Sequence, residues 1–205
     1  MTDYQYKELD WEHPSFLFVL EDLLKNLIGG PLLYGPYMKT FGLHGDDTVL
    51  DFGCGGGVGS RCLASLLNEN GRLTCVDVSD YWIARARKRL RACSNVRCLC
   101  GDIRTLDIPT HSFDVISIFH VIHDVAPAER QETVHVLSTL LKPSGRVFVR
   151  EPTRKSHGMP ADQIRTLFRN AALHEAQRTE SSSEYKGLFE PDAATPTKND
   201  PGVSC

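Results

Sequence analysis

Short apolar runs alternate with helical stretches along most of this chain. The runs cover residues 48–52, 72–76, 96–100, 113–119 and 146–150. Between them, apolar positions at helical spacing predict a helix reaching about residue 67 and others at 81–91, 127–141 and 161–172. Parallel strands need a crossover connection, which is usually a helix. The alternation therefore predicts an α/β fold around a mostly parallel sheet.

The two ends of the chain break this alternation. Helical spacing at 15–28 and at 33–41 predicts an N-terminal helical cap segment over residues 1–42. Residues 174–181 and 184–189 predict a closing hairpin. The last residues are rich in Pro, Thr, Asp and Gly, which predicts a disordered tail at 191–205. Residues 43–190 are left as the main domain.

Composition narrows the functional classes. The net charge is −3 and the pI is about 6.2, so no duplex-DNA binder is expected. No apolar run is long enough to span a membrane, and the first residues do not resemble a secretion signal. We therefore expect a soluble, cytoplasmic protein. The seven cysteines are an odd number at irregular spacing, which favours buried thiols, including Cys98 and Cys100, over disulfides or a metal site.

The most informative segment is the glycine-rich run at 49–59, which follows the first strand. Glycines let the backbone adopt positive φ and approach a ligand closely. A dinucleotide site expects G-x-G-x-x-G, but counting from Gly53 or Gly55 places Val58 or Ser60 at the third glycine position. Asp51 precedes the loop and would repel a pyrophosphate. It suits a cationic ligand, such as the ammonium and sulfonium of S-adenosylmethionine.

A second carboxylate ends the next strand. Asp77 lies 20 residues beyond Gly57, where a carboxylate can accept hydrogen bonds from both hydroxyls of a ribose. Both nucleotide classes use such a residue, so Asp77 indicates a ribose without choosing between them. Capping of nearby turns is the alternative explanation for Asp51 and Asp77.

At this point the sequence resembles the class I S-adenosylmethionine-dependent methyltransferase family. The resemblance runs from about 48 to 189 and includes VLDFGCGGG, CVDVS, CGDI, FDVISIFHVIHDV and LLKPSGRVFV, in that order. It implies a Rossmann-like fold whose seven-stranded sheet has the order 3-2-1-4-5-7-6, with strand 7 antiparallel and helices on both faces. The pattern is most similar to small-molecule members of the quinone-biosynthesis type.

The resemblance also implies which residues hold the cofactor. Asp51 and the backbone of Gly53 and Gly55 would hold the methionine end, and Asp77 the ribose. The adenine would lie among Val78, Trp82, Asp102 and Ile103. Phe119 and His120 would lie beside the methionyl group and the substrate. Trp82 could instead be core, and Asp102 a turn residue.

Two histidines after the fourth strand are the predicted catalytic residues. His123 and His120 are candidate general bases because histidine titrates near neutrality, and Asp124 could orient one of them. A metal cluster of His120, His123 and Asp124 is an alternative, but no further ligand is evident, so no metal is predicted. Capping of the next helix is the structural alternative.

The predicted function is in-line methyl transfer from S-adenosylmethionine to a small-molecule acceptor. The chain lacks the Asn-Pro-Pro-Tyr and Pro-Cys motifs of DNA-methylating enzymes. Tyr34, Tyr37 and Met38 in the N-terminal helices are the predicted lid. The alternatives are an RNA or protein methyltransferase, a nicotinamide-dependent oxidoreductase and a non-catalytic methyltransferase-like partner subunit. The oligomeric state is left open.

Overall fold

The computed structural model describes Leu32 and residues 34–192. The predicted helix at 15–28, most of the cap segment 1–42 and the tail from 193 lie outside the described residues. The strands in chain order are β1 (Thr48–Phe52), β2 (Arg72–Asp77), β3 (Val96–Cys100), β4 (Phe113–Phe119), β5 (Leu141–Arg154), β6 (His157–Gly158), β7 (Leu173–Glu180) and β8 (Glu184–Pro191). The helices are α1 (Gly35–Lys39), α2 (Val58–Ala64), α3 (Asp80–Leu90), α4 (Arg130–Leu140) and α5 (Ala161–Asn170).

The strands form one sheet in the order β3-β2-β1-β4-β5-β8-β7, and the two-residue strand β6 pairs with β5. β1 to β5 are parallel to one another, whereas β8 is antiparallel to both β5 and β7. Without β6, this is the predicted order 3-2-1-4-5-7-6. The predicted fold class is therefore confirmed.

Helices cover both faces of the sheet. On one face α1, α2 and α3 bury Met38, Leu63 and Ile83 in one apolar cluster. On the other face α4 and α5 contribute to a larger cluster that includes Leu137 and Phe168. Because both faces are covered, the central strands are near-continuous apolar runs rather than alternating ones.

The predicted boundaries differ most at β5. The sequence predicts this strand at 146–150, with a turn at 142–146, but the strand runs over Leu141–Arg154. The predicted turn is an irregularity inside the strand, since Phe113 pairs with Leu141 and Val115 with Arg146. The other end is longer because β6 and β8 pair with it.

Three further structural findings bear on the sequence predictions. β8 continues to Pro191, one residue beyond the predicted domain end, because Pro191 pairs with Leu173 of β7. The described cysteines 54, 62, 75, 93, 98 and 100 are all free thiols, but the predicted burial of Cys98 and Cys100 is wrong, since both are only half-buried. Within residues 34–192, no helix has the length and apolar character needed to cross a membrane.

Candidate functional site

A cleft of about 590 Å³ opens at the carboxyl ends of the central strands. Ligands of open α/β sheets bind at this edge because loops from neighbouring parallel strands meet there. The structure brings every predicted site residue to the wall of this cleft. The lining includes Asp51, Gly53, Gly55, Asp77, Val78, Trp82, Asp102, Ile103, Phe119, His120 and His123. The cleft thus joins the glycine loop to the two histidines.

The glycine loop turns sharply out of β1. Gly53 has φ +68° and Gly55 has φ +50°, in the left-handed region that favours glycine. Both N–H groups are used within the protein: Gly53 donates to the Val76 carbonyl at 2.8 Å and Gly55 to Asp77 Oδ2 at 2.8 Å. What these glycines can present to a cationic ligand is therefore a carbonyl oxygen.

Asp51 is an almost completely buried carboxyl on the cleft wall, with 4% exposure. The Ser60 hydroxyl donates to its Oδ2 at 2.6 Å. Burial raises the pKa of Asp51 to about 6, although the hydrogen bond from Ser60 opposes the rise. A cationic ligand would favour the ionised form, so the site is suited to the ammonium of a methionyl group.

Asp77 organises the loop around it. Its Oδ2 accepts from the Gly55 N–H, and its Oδ1 accepts from the Ser79 N–H at 3.1 Å. Ser79 in turn caps α3 by accepting from the Trp82 N–H at 3.3 Å. Turn capping and ligand binding are therefore compatible for Asp77, since each carboxylate oxygen has more than one lone pair.

The predicted adenine end combines apolar walls with an ion pair. Val78 is 56% exposed at the cleft, whereas Trp82 and Ile103 are buried. Arg104 Nε donates to both carboxylate oxygens of Asp102 at 3.0 Å, and this pairing lowers the Asp102 pKa. Asp102 is therefore held in a fixed orientation by Arg104.

The opposite end of the cleft begins at the end of β4. His120 has φ +58°, and its N–H donates to the Arg150 carbonyl at 2.7 Å. Desolvation in the cleft is the main cause that lowers the His120 pKa to about 4, so this ring is neutral near pH 7. The centroids of the Phe119 and Tyr34 rings lie 4.5 Å apart, and the Arg150 guanidinium lies over the Phe119 ring at 4.6 Å from its centroid.

The predicted lid is partly described. Tyr34 and Met38 line the cleft, and Met38 is fully buried. The Tyr37 hydroxyl donates to the Val149 carbonyl at 3.1 Å, which ties α1 to β5. The described part of the cap thus covers the cleft beside Phe119.

His123 is held by a buried carboxylate that the sequence analysis did not predict. His123 Nδ1 lies 2.6 Å from Glu151 Oε2, and both side chains are almost completely buried. Glu151 Oε1 also accepts from the N–H groups of Val121 and Ile122 at 2.8 Å each. Burial opposes both charges, but their hydrogen bond and mutual attraction outweigh it. The His123 pKa is raised and the Glu151 pKa is lowered.

The other ring nitrogen of His123 faces two further side chains. Its Nε2 lies 3.0 Å from His157 Nε2 and 3.4 Å from Asp124 Oδ1. His120 is not part of this group, since its ring centroid lies 6.3 Å from that of His123. The cluster weighed in the sequence analysis therefore assembles with His157 in place of His120.

Comparison with known proteins assigns this arrangement to a family. A family model described as a methyltransferase domain matches residues 49–145, which include the glycine loop, Asp77, Asp102 and the two predicted histidines. The fold and the ordered motifs agree with that match. Residues 49–145 therefore belong to the methyltransferase domain family. The family resemblance is confirmed.

Solved structures share the fold of this chain. An S-adenosylmethionine-dependent methyltransferase from Aquifex aeolicus superposes with a TM-score of 0.73 at 18% identity, covering 89% of this chain and 98% of that one. A TehB-like methyltransferase from Corynebacterium glutamicum gives a TM-score of 0.70 at 16% identity, covering 85% and 96%. At these identities the likeness establishes the fold alone.

The alignments with curated relatives cover only part of each protein. The ubiquinone/menaquinone biosynthesis C-methyltransferase UbiE of Salmonella arizonae is 27% identical over 113 residues, which is 54% of this chain and 44% of that protein. The chain spans less than half of the length of the curated relatives it matches. The alignment therefore supports the domain and leaves the acceptor open.

Glu151, behind the cleft wall, and His157, on it, were not predicted from the sequence. Glu151 directly follows an apolar run, and a carboxylate at the carboxyl end of a strand is a usable signal for a site residue. His157 had no such signal. It reaches the cleft because residues 155 and 156 turn the chain back, so that His157 pairs with Arg154.

Proposed function

We propose that this chain transfers the methyl group of S-adenosylmethionine to a small-molecule acceptor. The observation that carries the proposal is a single cleft with two chemically different ends. One end presents Asp51, Asp77 and the glycine loop, and the other presents His123, which is held from behind by the buried Glu151. A methyl donor at the first end would place its sulfonium towards the second.

The reaction needs few catalytic groups from the protein. The acceptor atom attacks the methyl carbon in line, the bond from carbon to sulfur breaks, and its electron pair stays on sulfur as S-adenosylhomocysteine. The protein has to position the two molecules and exclude water. We propose that Asp51, Gly53 and Gly55 position the methionyl group, Asp77 the ribose, and Val78, Trp82, Asp102 and Ile103 the adenine, with Phe119 beside the methyl group.

We further propose that His123 activates the acceptor and that His120 only lines its site. His123 has a partner, Glu151, that orients its ring and stabilises a positive charge on it. The lowered pKa of His120 makes that ring a weak base near neutrality. An acceptor with an ionisable oxygen, sulfur, nitrogen or carbon would profit from such a residue.

A small acceptor is favoured by the enclosure of this end of the cleft. Tyr34, directly before α1, and the Arg150 guanidinium both pack on Phe119, which lines this end. The net charge of −3 gives the chain no overall attraction for a nucleic acid. The similarity to a quinone-biosynthesis enzyme also favours a small-molecule acceptor. The cytoplasmic location stays a prediction.

The test is methyl transfer from S-adenosylmethionine labelled in the methyl group. The purified chain would be incubated with panels of thiols, phenols and quinols, and separately with total RNA and with denatured protein. We expect label in a small molecule, lost in His123→Asn and kept in the control His135→Asn, which lies exposed on α4. Labelled RNA or protein without a labelled small molecule would contradict the proposal.

A further inference from the structure

Three electron-pair donors converge at the acceptor end of the cleft. His123 Nε2, His157 Nε2 and Asp124 Oδ1 all lie within 4.8 Å of one another. The two distances from His123 Nε2 are 3.0 Å to His157 and 3.4 Å to Asp124. A proton on one of these atoms can be directed to only one of the others at a time. A divalent cation can bind all three at once.

The surroundings of His123 are those of a metal ligand. Glu151 accepts from Nδ1, so that proton is fixed and the opposite nitrogen points at the cluster. A ligating histidine usually donates its other ring N–H to a carboxylate or carbonyl in this way. Arg130 Nη2 donates to the His123 carbonyl at 2.6 Å, and its Nε donates to the Val125 carbonyl at 2.9 Å. Arg130 therefore fixes the backbone at His123 and two residues beyond it.

We propose that His123, His157 and Asp124 form a binding site for a divalent transition-metal ion of the zinc type. Bonds from zinc to histidine nitrogen are about 2.0–2.1 Å, so two ligand atoms on a tetrahedron lie about 3.3 Å apart. The observed 3.0 and 3.4 Å bracket that separation. Two imidazoles and one carboxylate leave a fourth position, as in sites that also bind water or a substrate.

The fourth position gives the ion a role that rests on the proposed methyl transfer. All three ligands line the same cleft as the glycine loop, so the open position is available to an acceptor. An acceptor hydroxyl or thiol would bind as the anion and release its proton to water. That anion would attack the methyl carbon while the electron pair of the breaking bond goes to sulfur. His123 would then act as a ligand rather than as the base.

The direct test measures metal binding without turnover. The chain, free of any histidine tag and stripped with a chelator, would be titrated with Zn²⁺ and, separately, with Co²⁺, whose visible absorption reports its ligands. We expect one ion per chain, with affinity about 100-fold or more weaker in His157→Ala and in Asp124→Asn. His157 is exposed, so its replacement should leave the fold intact, and His135→Ala is the matched control.

The outcomes separate this proposal from the proposed function. Equal affinity in the unaltered chain, His157→Ala and Asp124→Asn, or no binding to any of them, would overturn the metal site. Methyl transfer by a metal-free protein would overturn the role of the ion in the reaction and would restore His123 as a base. In Asp77→Ala we expect intact metal binding and lost S-adenosylmethionine binding, with the opposite result in His157→Ala. Loss of cofactor binding in every form would count against the methyltransferase function alone.

Discussion

The two ends of the cleft are built in different ways. At the cofactor end, Asp51 lies in β1, Asp77 ends β2 and Asp102 follows β3. Much of the geometry there comes from backbone groups such as the Gly53 and Gly55 turns. At the acceptor end, side chains far apart in sequence meet. His123 and Glu151 are 28 residues apart, and His123 and His157 are 34 apart. The residues of the cofactor end can be predicted from local motifs. The contacts at the acceptor end depend on the register of β4, β5 and β6.

The sharpest test of the acceptor end is Glu151→Gln. The change removes one partner of a buried ion pair, which typically costs about 3–5 kcal/mol of unfolding free energy. Denaturant unfolding would measure it. Glu184→Gln, on the partly exposed pair with Arg150, is the control and should cost about 1 kcal/mol or less.

The pKa shifts of His123 and Glu151 predict how the stability of the acceptor end depends on pH. His123 has a raised pKa, so its contribution is complete below about 6.5 and is lost as pH rises through the raised value. Glu151 has a lowered pKa, so its contribution is lost as pH falls through that value. The pair therefore stabilises the fold most at pH values between the Glu151 pKa and the His123 pKa. A Glu151→Gln variant as pH-dependent as the original chain would show that the pair has no such role.

At the cofactor end the largest expected effect is that of Asp77→Ala. The variant loses the two proposed ribose contacts and the hydrogen bonds that Asp77 accepts from Gly55 and Ser79. Hydrogen bonds to a charged group contribute about 1.5–3 kcal/mol each, so affinity should fall about 100-fold or more. Calorimetric titration measures it. Asp107→Ala, an exposed carboxyl in the loop after β3, should bind as the original chain does.

Asp51→Asn should separate binding from stability. Because burial raises the Asp51 pKa, its ionised form is disfavoured in the folded protein, and the apo variant should be about 1–3 kcal/mol more stable near neutral pH. S-adenosylmethionine affinity should nevertheless fall about 10- to 100-fold. In the original chain, affinity should decrease as pH falls through about 6, and the variant should lack that decrease. A destabilised apo variant would contradict this explanation.

The smallest effect compares two glycines of one loop. An alanine at Gly53 would place its Cβ 2.4 Å from Val121 Cγ2, in addition to the cost of its positive φ. At Gly55 nothing lies within 4 Å, so only the cost of about 1–2 kcal/mol for left-handed backbone applies. Gly53→Ala should therefore be less stable than Gly55→Ala by about 1–2 kcal/mol. The double variant with Val121→Ala should recover most of that difference, which thermal unfolding would show.

The same contrast explains what could be predicted from sequence. The central strands, the glycine loop, Asp51 and Asp77 follow from local features: an apolar run, a glycine turn and an acidic residue at a fixed distance. The strand order and the adenine-end residues came from the family resemblance. The β5 boundaries were wrong because a bulge and two extra pairings extend the strand, and neither leaves an apolar periodicity. The role of His157 depends on a two-residue pairing that no pattern in the sequence indicates. The position of Glu151 after an apolar run indicated a site residue, but only the fold shows that its partner is His123.

The central claim is that the cleft binds S-adenosylmethionine through its carboxylates and glycine loop. The most direct measurement is calorimetric titration of the purified chain with S-adenosylmethionine and S-adenosylhomocysteine, with NAD as the control ligand and Asp77→Ala as the control variant. The account predicts micromolar binding of the first two, which is lost in the variant and absent for NAD. Binding of NAD instead, or of none of the three, would contradict it.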